Sequence, residues 1–237
     1  MDLKAPDLSI PSLRAVLLDL DGTLVDSAED LREALNEVLA GEGLRPIEAA
    51  EVRAMIGDGV LKLVERGLAR AGGDPDRARE LMPRFLSVYE PRAARSTRPY
   101  PGVVETLRAL RARGLRLGVV TNKPEAATWA ILEALALAPF LDVVIGGDTL
   151  PERKPSPEPL VAALRRLETE PHSAVMVGDN HHDVQAARAA GLKAILVSYG
   201  YTHGAPHALG ADRVVDRFED LLTALADLDF GHGVPDQ

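Results

Sequence analysis

The sequence predicts an α/β fold, a doubly wound (Rossmann-like) parallel sheet with a helical domain inserted after the first strand. Beyond residue 101, short apolar strand patterns alternate with helical patterns, which is typical of a parallel sheet covered on both faces. Between residues 26 and 98, only helical periodicity recurs. The 237 residues, 46% of them hydrophobic, fit a core domain with a small insert.

The first strand is predicted at residues 14–18, where an apolar run ends in polar residues. Ser27 then occupies the position of a helix N-cap, because apolar residues recur behind it at helical spacing. Further helices of the insert are expected at about residues 48–56, 59–71 and 75–95.

The alternating part follows two prolines at 99 and 101, which stiffen the chain and indicate a hinge or domain boundary. Helices are expected at 102–113, 124–136, 157–168, 183–190 and 217–227. Strands are expected at 115–120, 142–145, 174–177, 193–197 and 213–215. We therefore assign residues 1–25 and 99–237 to an α/β core domain and residues 26–98 to a helical cap domain.

Composition limits the possible partners and cofactors. A formal net charge of −9 argues against nucleic acid or an anionic membrane as the main partner. The chain has no cysteine, so any metal ion must be held by oxygen or histidine ligands. No signal-peptide core and no stretch of transmembrane length is found, and we expect a cytoplasmic protein.

Two carboxylates directly follow the first strand, which is unusual for an otherwise buried apolar run. Asp19 and Asp21 are spaced i and i+2, so both side chains converge if the extended conformation continues. Gly22 lets the backbone approach a ligand closely. The alternative is an ordinary turn, since Asp-Gly is a frequent turn dipeptide.

Polar residues also follow two later strands. Thr121 and Asn122 come after the strand at 115–120, and Asp179 and Asp183 come after the strand at 174–177. Ligands bind at the carboxyl ends of the strands in a doubly wound sheet, so these groups and the first pair are expected to share one crevice. Four carboxylates there would require a divalent cation, and Mg²⁺ suits them. Helix N-capping is the alternative for either later aspartate taken singly.

Two further segments are candidates for binding anions. Lys154 lies in a proline-rich loop behind a strand end, where it would balance the carboxylates and hold a phosphate oxygen; alternatively, it is an exposed lysine. Gly57 and Gly59 flank a helix break, and free N–H groups at the following helix start favour an anionic group. A simple turn between helices is the alternative.

Four motifs in this order resemble those of the haloacid dehalogenase superfamily of phosphohydrolases. They are DLDGT at 19–23, TN at 121–122, KP at 154–155 and GDNHHD at 178–183. Each motif is weak alone, but together they are specific, and they span most of the chain. The helical insert resembles the C1 cap of that family. TNK at 121–123, RKP at 153–155, QAARAAG at 185–191 and YGY at 199–201 are similar to the phosphoglycolate phosphatase-like branch.

The resemblance implies a role for each motif residue. Asp19 would be the nucleophile that forms an aspartyl-phosphate, and Asp21 would be the general acid and base. Thr121 and Lys154 would stabilise the phosphoryl oxygens.

The same resemblance implies the metal and substrate contacts. Mg²⁺ would be held by the carboxylates of Asp19 and Asp179, by the backbone carbonyl of Asp21, and by Asp183 through a water molecule. Thr23 and Asn122 would contact the substrate.

The function expected is a Mg²⁺-dependent phosphatase for a small phosphorylated metabolite, with phosphoglycolate favoured. Pyrophosphate, sugar phosphates and nucleotides are alternative substrates, and a phosphomutase or a non-catalytic binding protein of the same fold is less favoured. A dehalogenase is disfavoured because that branch lacks the second aspartate. The chain would act as a monomer or homodimer.

One segment departs from the family pattern. Asn180, His181 and His182 stand where Ser-Arg-Asn is common in the phosphoglycolate branch. Two adjacent histidines suggest a transition-metal site, which we disfavour because neighbours in sequence rarely point at one ion.

Overall fold

The computed structural model describes residues 12–202 and 204–230. Residues 1–11, 203 and 231–237 of the predicted core domain therefore lie outside the described part of the chain.

The core is a six-stranded parallel sheet in the order β5-β4-β1-β6-β7-β8. Its strands are β1 (Ala15–Leu18), β4 (Arg116–Val120), β5 (Val143–Ile145), β6 (Ala174–Gly178), β7 (Lys193–Val197) and β8 (Arg213–Val215). β1 lies at the centre between β4 and β6, and all four of its residues are buried. The predicted doubly wound sheet is confirmed, with each strand within a residue or so of its expected bounds.

Helices cover both faces of this sheet. They are α5 (Val103–Ala112), α6 (Glu125–Ala134), α7 (Glu158–Arg166), α8 (His181–Ala189) and α9 (Leu221–Ala226). Because side chains alternate along a strand, Val16 and Leu18 join one hydrophobic cluster while Ala15 and Leu17 join another on the opposite face. This double burial explains why the central strands β1 and β6 are apolar throughout.

Four helices form the insert: α1 (Ala28–Gly41), α2 (Ala49–Arg53), α3 (Val60–Ala71) and α4 (Ala78–Tyr89). Their apolar faces, including Leu35, Val64 and Phe85, pack into the same cluster as one face of the sheet. The single helix expected at 75–95 is instead a 3₁₀ turn at Pro75–Arg77, then α4, then a second 3₁₀ turn at Glu90–Arg92. Pro91 in the second turn follows the end of α4 and lacks the N–H needed to continue its hydrogen-bond ladder.

The insert leaves and rejoins the core at adjacent points. β2 (Val25–Asp26) pairs antiparallel with β3 (Arg98–Pro99), a contact that the sequence analysis missed because two residues carry no recognisable period. Beside it, the buried carboxylate of Asp30 accepts hydrogen bonds from the backbone N–H groups of Ser96 and Thr97. The division into core and cap at residues 26 and 98 stays a prediction.

Candidate active site

Asp19 lies at the carboxyl end of the central strand. Its backbone N–H donates to the carbonyl of Val177 at 2.9 Å, so the sheet pairing continues one residue past β1. Its Oδ1 accepts a hydrogen bond from the backbone N–H of Leu20 at 2.8 Å. The side chain is almost fully buried, so its orientation is set by these contacts and not by solvent.

Asp179 and Asp183 lie beside Asp19, on the strand end and helix start next to it. One carboxylate oxygen from each of the three lies within 4.8 Å of the others, and all three side chains are buried. Burial raises the pKa of Asp19 to about 6, despite the opposing effect of Lys154. Burial, and then the negative charges of Asp183 and Asp19, raises the pKa of Asp179 well above its ordinary value. Three buried oxygen donors of one sign fit a hard divalent cation.

Lys154 is buried among these carboxylates. Its Nζ lies 2.6 Å from Oδ1 of Asp183 and 3.0 Å from Oδ1 of Asp19. Burial alone would lower the pKa of Lys154, but the two carboxylates raise it above its ordinary value. The exposed-lysine alternative is therefore wrong, and the ammonium is a fixed positive charge beside Asp19.

Asp183 has both of the roles that the sequence left as alternatives: it caps a helix, and it belongs to the charged site. Its Oδ2 accepts hydrogen bonds at 3.1 Å from the backbone N–H groups of Asp179 and Asn180. The bond from Asn180, together with the bond from the Asp183 backbone N–H to the Asn180 side chain, forms a capping box at the start of α8. Its Oδ1 meanwhile contacts Lys154. Because Asn180 is the N-cap, α8 begins at His181, two residues earlier than expected.

The carboxylate of Asp21 lies outside this three-carboxylate cluster, although Asp21 and Asp19 line the same cavity. Its Oδ1 accepts a hydrogen bond from Oγ of Ser27 at 2.5 Å, and its Oδ2 lies 2.9 Å from Nζ of Lys123. Ser27 precedes α1 as predicted, but its hydroxyl makes no capping bond there. Asp21 is thus close to Asp19 in sequence, but its carboxylate is held by different partners.

Lys123 is a residue of this site that the sequence analysis did not single out. Its side chain is 2% exposed, and its ammonium lies 4.7 Å from the ring centroid of Tyr89 in α4. Burial alone would lower the pKa of Lys123, but Asp21 and Tyr89 raise it. The available signal was its position in the TNK motif, directly behind a strand end.

Gly22 and Thr23 complete the turn behind the two aspartates. Gly22 has φ +86°, and a Cβ there would lie 2.3 Å from Oδ2 of Asp179, so only glycine fits. Thr23 is fully buried and its carbonyl accepts a hydrogen bond from the hydroxyl of Tyr199. Thr23 is not among the described residues that line the cavity over the site.

Tyr201, which the sequence analysis also missed, connects the three-carboxylate cluster to the segment where the chain enters the insert. Its backbone N–H donates to Oδ2 of Asp179 at 2.6 Å. Its hydroxyl accepts hydrogen bonds from the N–H groups of Ser27 and Ala28, and donates to Asp26 at 2.7 Å. The YGY motif therefore has a structural explanation in this network.

A small cavity of about 30 Å³ lies between the strand ends and the insert. Asp19, Asp21, Thr121, Asn122 and Lys123 line it from the sheet side, and Leu31, Ile56, Gly57, Gly59, Val60 and Leu63 from the insert. The Asn122 amide donates to the carbonyls of Lys154 at 3.0 Å and Gly57 at 3.4 Å, and thus joins both sides. Thr121 is buried here, and its hydroxyl accepts a hydrogen bond from the N–H of Lys123.

The two adjacent histidines do converge, contrary to expectation. The rings of His181 and His182 lie 3.9 Å apart, and one donor atom from each lies within 4.8 Å of an oxygen of Asp58. Nε2 of His182 hydrogen-bonds Oδ1 of Asp58, whose Oδ2 pairs with Arg66. Although burial opposes it, these two partners hold the pKa of Asp58 below its ordinary value.

The comparisons with known proteins agree with the family that the sequence motifs indicate. Residues 16–197 match the family model described as haloacid dehalogenase-like hydrolase. The chain is 47% identical over 215 residues to a phosphoglycolate phosphatase of Rhodospirillum rubrum, which covers 88% of this chain and 89% of that protein. It is 44% identical to a phosphoglycolate phosphatase of Caulobacter vibrioides, with 88% and 89% covered.

Solved structures are similar over nearly the whole chain. A crystal structure described as a predicted phosphoglycolate phosphatase from Haemophilus somnus superposes with a TM-score of 0.86 at 31% identity, covering 91% of this chain and 99% of that one. CbbY from Rhodobacter sphaeroides, in complex with phosphate, has a TM-score of 0.78 at 30% identity, with 91% and 100% covered.

Within the described residues, none of the helices combines the length and apolarity needed to span a membrane.

Proposed function

The chain belongs to the haloacid dehalogenase-like hydrolase family, and we propose that it is a Mg²⁺-dependent phosphatase that hydrolyses phosphoglycolate. The observation that carries this proposal is the burial of Asp19 between two further carboxylates and the ammonium of Lys154 at the end of the central strand. Relatives that are 44–47% identical and named phosphoglycolate phosphatase support the choice of substrate.

Asp19 acts as the nucleophile. An oxygen of its carboxylate bonds to phosphorus while the bond from phosphorus to the ester oxygen breaks, which leaves an aspartyl-phosphate. Both Leu20 N–H and Lys154 contact Oδ1 and so fix the orientation of the carboxylate. Water then attacks phosphorus, and release of phosphate restores Asp19.

Asp21 moves the protons in both steps. It donates a proton to the departing ester oxygen, and later accepts a proton from the attacking water. Its contacts with Ser27 and Lys123 hold the carboxylate away from the three-carboxylate cluster and towards the cavity. This separation gives the two neighbouring aspartates different tasks.

Mg²⁺ fits the donor set of the cluster. The carboxylates of Asp19 and Asp179 and the backbone carbonyl of Asp21 would hold it directly, and Asp183 indirectly. When bound, the ion neutralises charge on the transferring phosphoryl group. Lys154 adds a second positive charge there, and Thr121 a hydroxyl donor.

The remaining residues of the site would contact the leaving group of the substrate. The helical insert covers the strand ends, and in this proposal it moves away from them to admit the substrate. Asn122, Gly57 and Gly59 line the cavity and would contact the leaving group, with Thr23 supporting the turn behind. The proposal also includes a cytoplasmic enzyme, monomeric or homodimeric, with a small phosphorylated metabolite as its partner.

Steady-state kinetics on purified protein test this function. We expect kcat/KM for phosphoglycolate to exceed that for pyrophosphate, sugar phosphates, nucleotides and p-nitrophenyl phosphate by at least about tenfold, a difference of about 1.4 kcal/mol in transition-state binding. Equal or greater kcat/KM for another member of the panel would replace phosphoglycolate as the substrate. Absence of turnover on every phosphate ester with Mg²⁺ present would exclude the phosphatase itself.

A further inference from the structure

We propose that Lys123 recognises the carboxylate of the leaving group and is the specificity-determining residue of this site. The inference rests on the proposed function and deepens it, because it states which feature of phosphoglycolate the protein selects. It concerns the end of the substrate that faces the insert, away from the three-carboxylate cluster.

The first step considers which positively charged side chains line the cavity. Among its described lining residues, Lys123 is the only lysine or arginine. Lys154 is not among them, and its ammonium is in contact with Asp19 and Asp183. A substrate with two anionic ends needs a cation for each, and the phosphate end already faces Lys154. Arg153 places Nη1 near Gly59, but its Nε is bound to the carbonyl of Gly147, so Lys123 is the cation within the cavity lining for the second anion.

The second step is the position of Lys123 relative to the leaving oxygen. Its Nζ lies 2.9 and 3.1 Å from the two oxygens of Asp21, the residue that must contact the departing ester oxygen. In phosphoglycolate one CH₂ group separates that oxygen from the carboxylate. An ammonium has three donors, so a single lysine can serve Asp21 and this carboxylate at the same time. A longer leaving group would place its anion beyond reach.

The third step is the low polarity of the surrounding wall. Lys123 is buried against the Tyr89 ring, and the insert contributes the apolar side chains Leu31, Ile56 and Leu63 to the cavity. A charge-assisted hydrogen bond is strengthened in such surroundings, whereas sugar hydroxyls would find few partners. The wall thus favours a short leaving group whose polar part is the carboxylate alone.

The start of α3 adds to the same preference. Gly59 is its N-cap and lines the cavity, and the first turn of this 12-residue helix carries no acidic residue. Its free N–H groups and the positive end of the helix dipole favour an anion on the insert side. Lys123 and the α3 N-terminus therefore both contribute positive charge to the cavity that would hold the carboxylate.

The test compares phosphoglycolate with ethyl phosphate, which has the same two carbons but no carboxylate. We expect the wild-type ratio of kcat/KM values to favour phosphoglycolate by about 100-fold, and Lys123→Met to reduce that ratio at least about tenfold. Methionine keeps the apolar volume and an aromatic contact with Tyr89, and circular dichroism and thermal unfolding verify the fold.

Ser27→Ala is the matched control, because it removes the other contact of Asp21 and leaves Lys123 in place. This variant should slow both substrates and leave their ratio unchanged. Equal losses on both substrates in Lys123→Met would overturn the inference, since Lys123 would then act only on Asp21. A wild-type protein with no preference for phosphoglycolate would instead contradict the proposed function.

Product binding gives a second measurement that does not need turnover. Glycolate carries the carboxylate without the phosphate, and inorganic phosphate carries the reverse. We expect Lys123→Met to weaken glycolate binding in calorimetry at least about tenfold while phosphate binding changes less than about threefold. Unchanged glycolate affinity in a folded variant would also overturn the inference.

Discussion

Nε2 of His182, in the first turn of α8, hydrogen-bonds Oδ1 of Asp58, in the loop before α3. The two residues are 124 positions apart in the chain, and the contact joins the core to the insert beside Gly57 and Gly59, which line the cavity. Arg66 holds the other oxygen of Asp58, so the carboxylate is anchored within the insert while it reaches His182. The pair therefore connects the core to the insert, the two parts whose separation we propose for substrate entry.

Removal of this contact should favour the open arrangement. We expect His182→Ala and Asp58→Ala each to raise KM for phosphoglycolate several-fold, because closure over the substrate is then less favourable. Their effects should be non-additive in a double-mutant cycle, with a coupling of about 1 kcal/mol. Steady-state kinetics and urea unfolding measure both quantities. Lys62→Met, which breaks an exposed pair within the insert, serves as the control, and strict additivity of the two main variants would refute the coupling.

Asp19→Asn should remove turnover while leaving the fold intact, since an amide is a poor nucleophile of nearly the same shape. The expected loss is at least about 10³-fold in kcat. Thermal unfolding and circular dichroism should match the wild type or show a modest stabilisation, because one of three clustered negative charges is gone. A folded variant that retained a tenth of wild-type activity would exclude Asp19 as the nucleophile.

Chelation should abolish activity, and Mg²⁺ should restore it. Ca²⁺ should inhibit, since it prefers more ligands and a looser geometry. Binding should also be visible without turnover, because a cation offsets the repulsion among Asp19, Asp179 and Asp183 and thereby raises the melting temperature. Asp179→Asn should reduce that Mg²⁺-dependent shift. Full activity after exhaustive chelation would contradict this metal site.

Substitution of the glycines at the start of α3 should affect phosphoglycolate more than p-nitrophenyl phosphate. Gly57 has φ +120° and Gly59 has φ +84°, and a Cβ at Gly59 would lie 3.3 Å from the carbonyl oxygen of Asn122. Gly57→Val or Gly59→Val should therefore raise KM for phosphoglycolate at least about tenfold. Gly59→Ala serves as a milder variant that reduces the risk of misfolding.

The two substrates separate the possible outcomes for these glycines. Equal losses on both would indicate misfolding of the insert, which thermal unfolding would also detect. No loss on either substrate would remove this loop from the substrate site.

The sequence alone determined the alternating core and the position of the motif residues at its strand ends. The central strands β1 and β6 are buried on both faces, so their apolar runs are visible without any knowledge of their neighbours. The carboxyl ends of parallel strands lie at one edge, and this geometry is enough to bring Asp19, Asp179 and Thr121 to one place. These predictions required only local periodicity and one rule of topology.

Only the tertiary structure decided which partner each charged group has. Asp21 pairs with Lys123, 102 residues away, and its carboxylate lies apart from the other aspartates. Tyr201 hydrogen-bonds Asp26, and His182 hydrogen-bonds Asp58. The pairing of β2 with β3 likewise joins segments too short to carry a pattern. A periodic element repeats its signal over many residues, whereas a single long-range contact depends on the packing of the whole chain and leaves no local trace in the sequence.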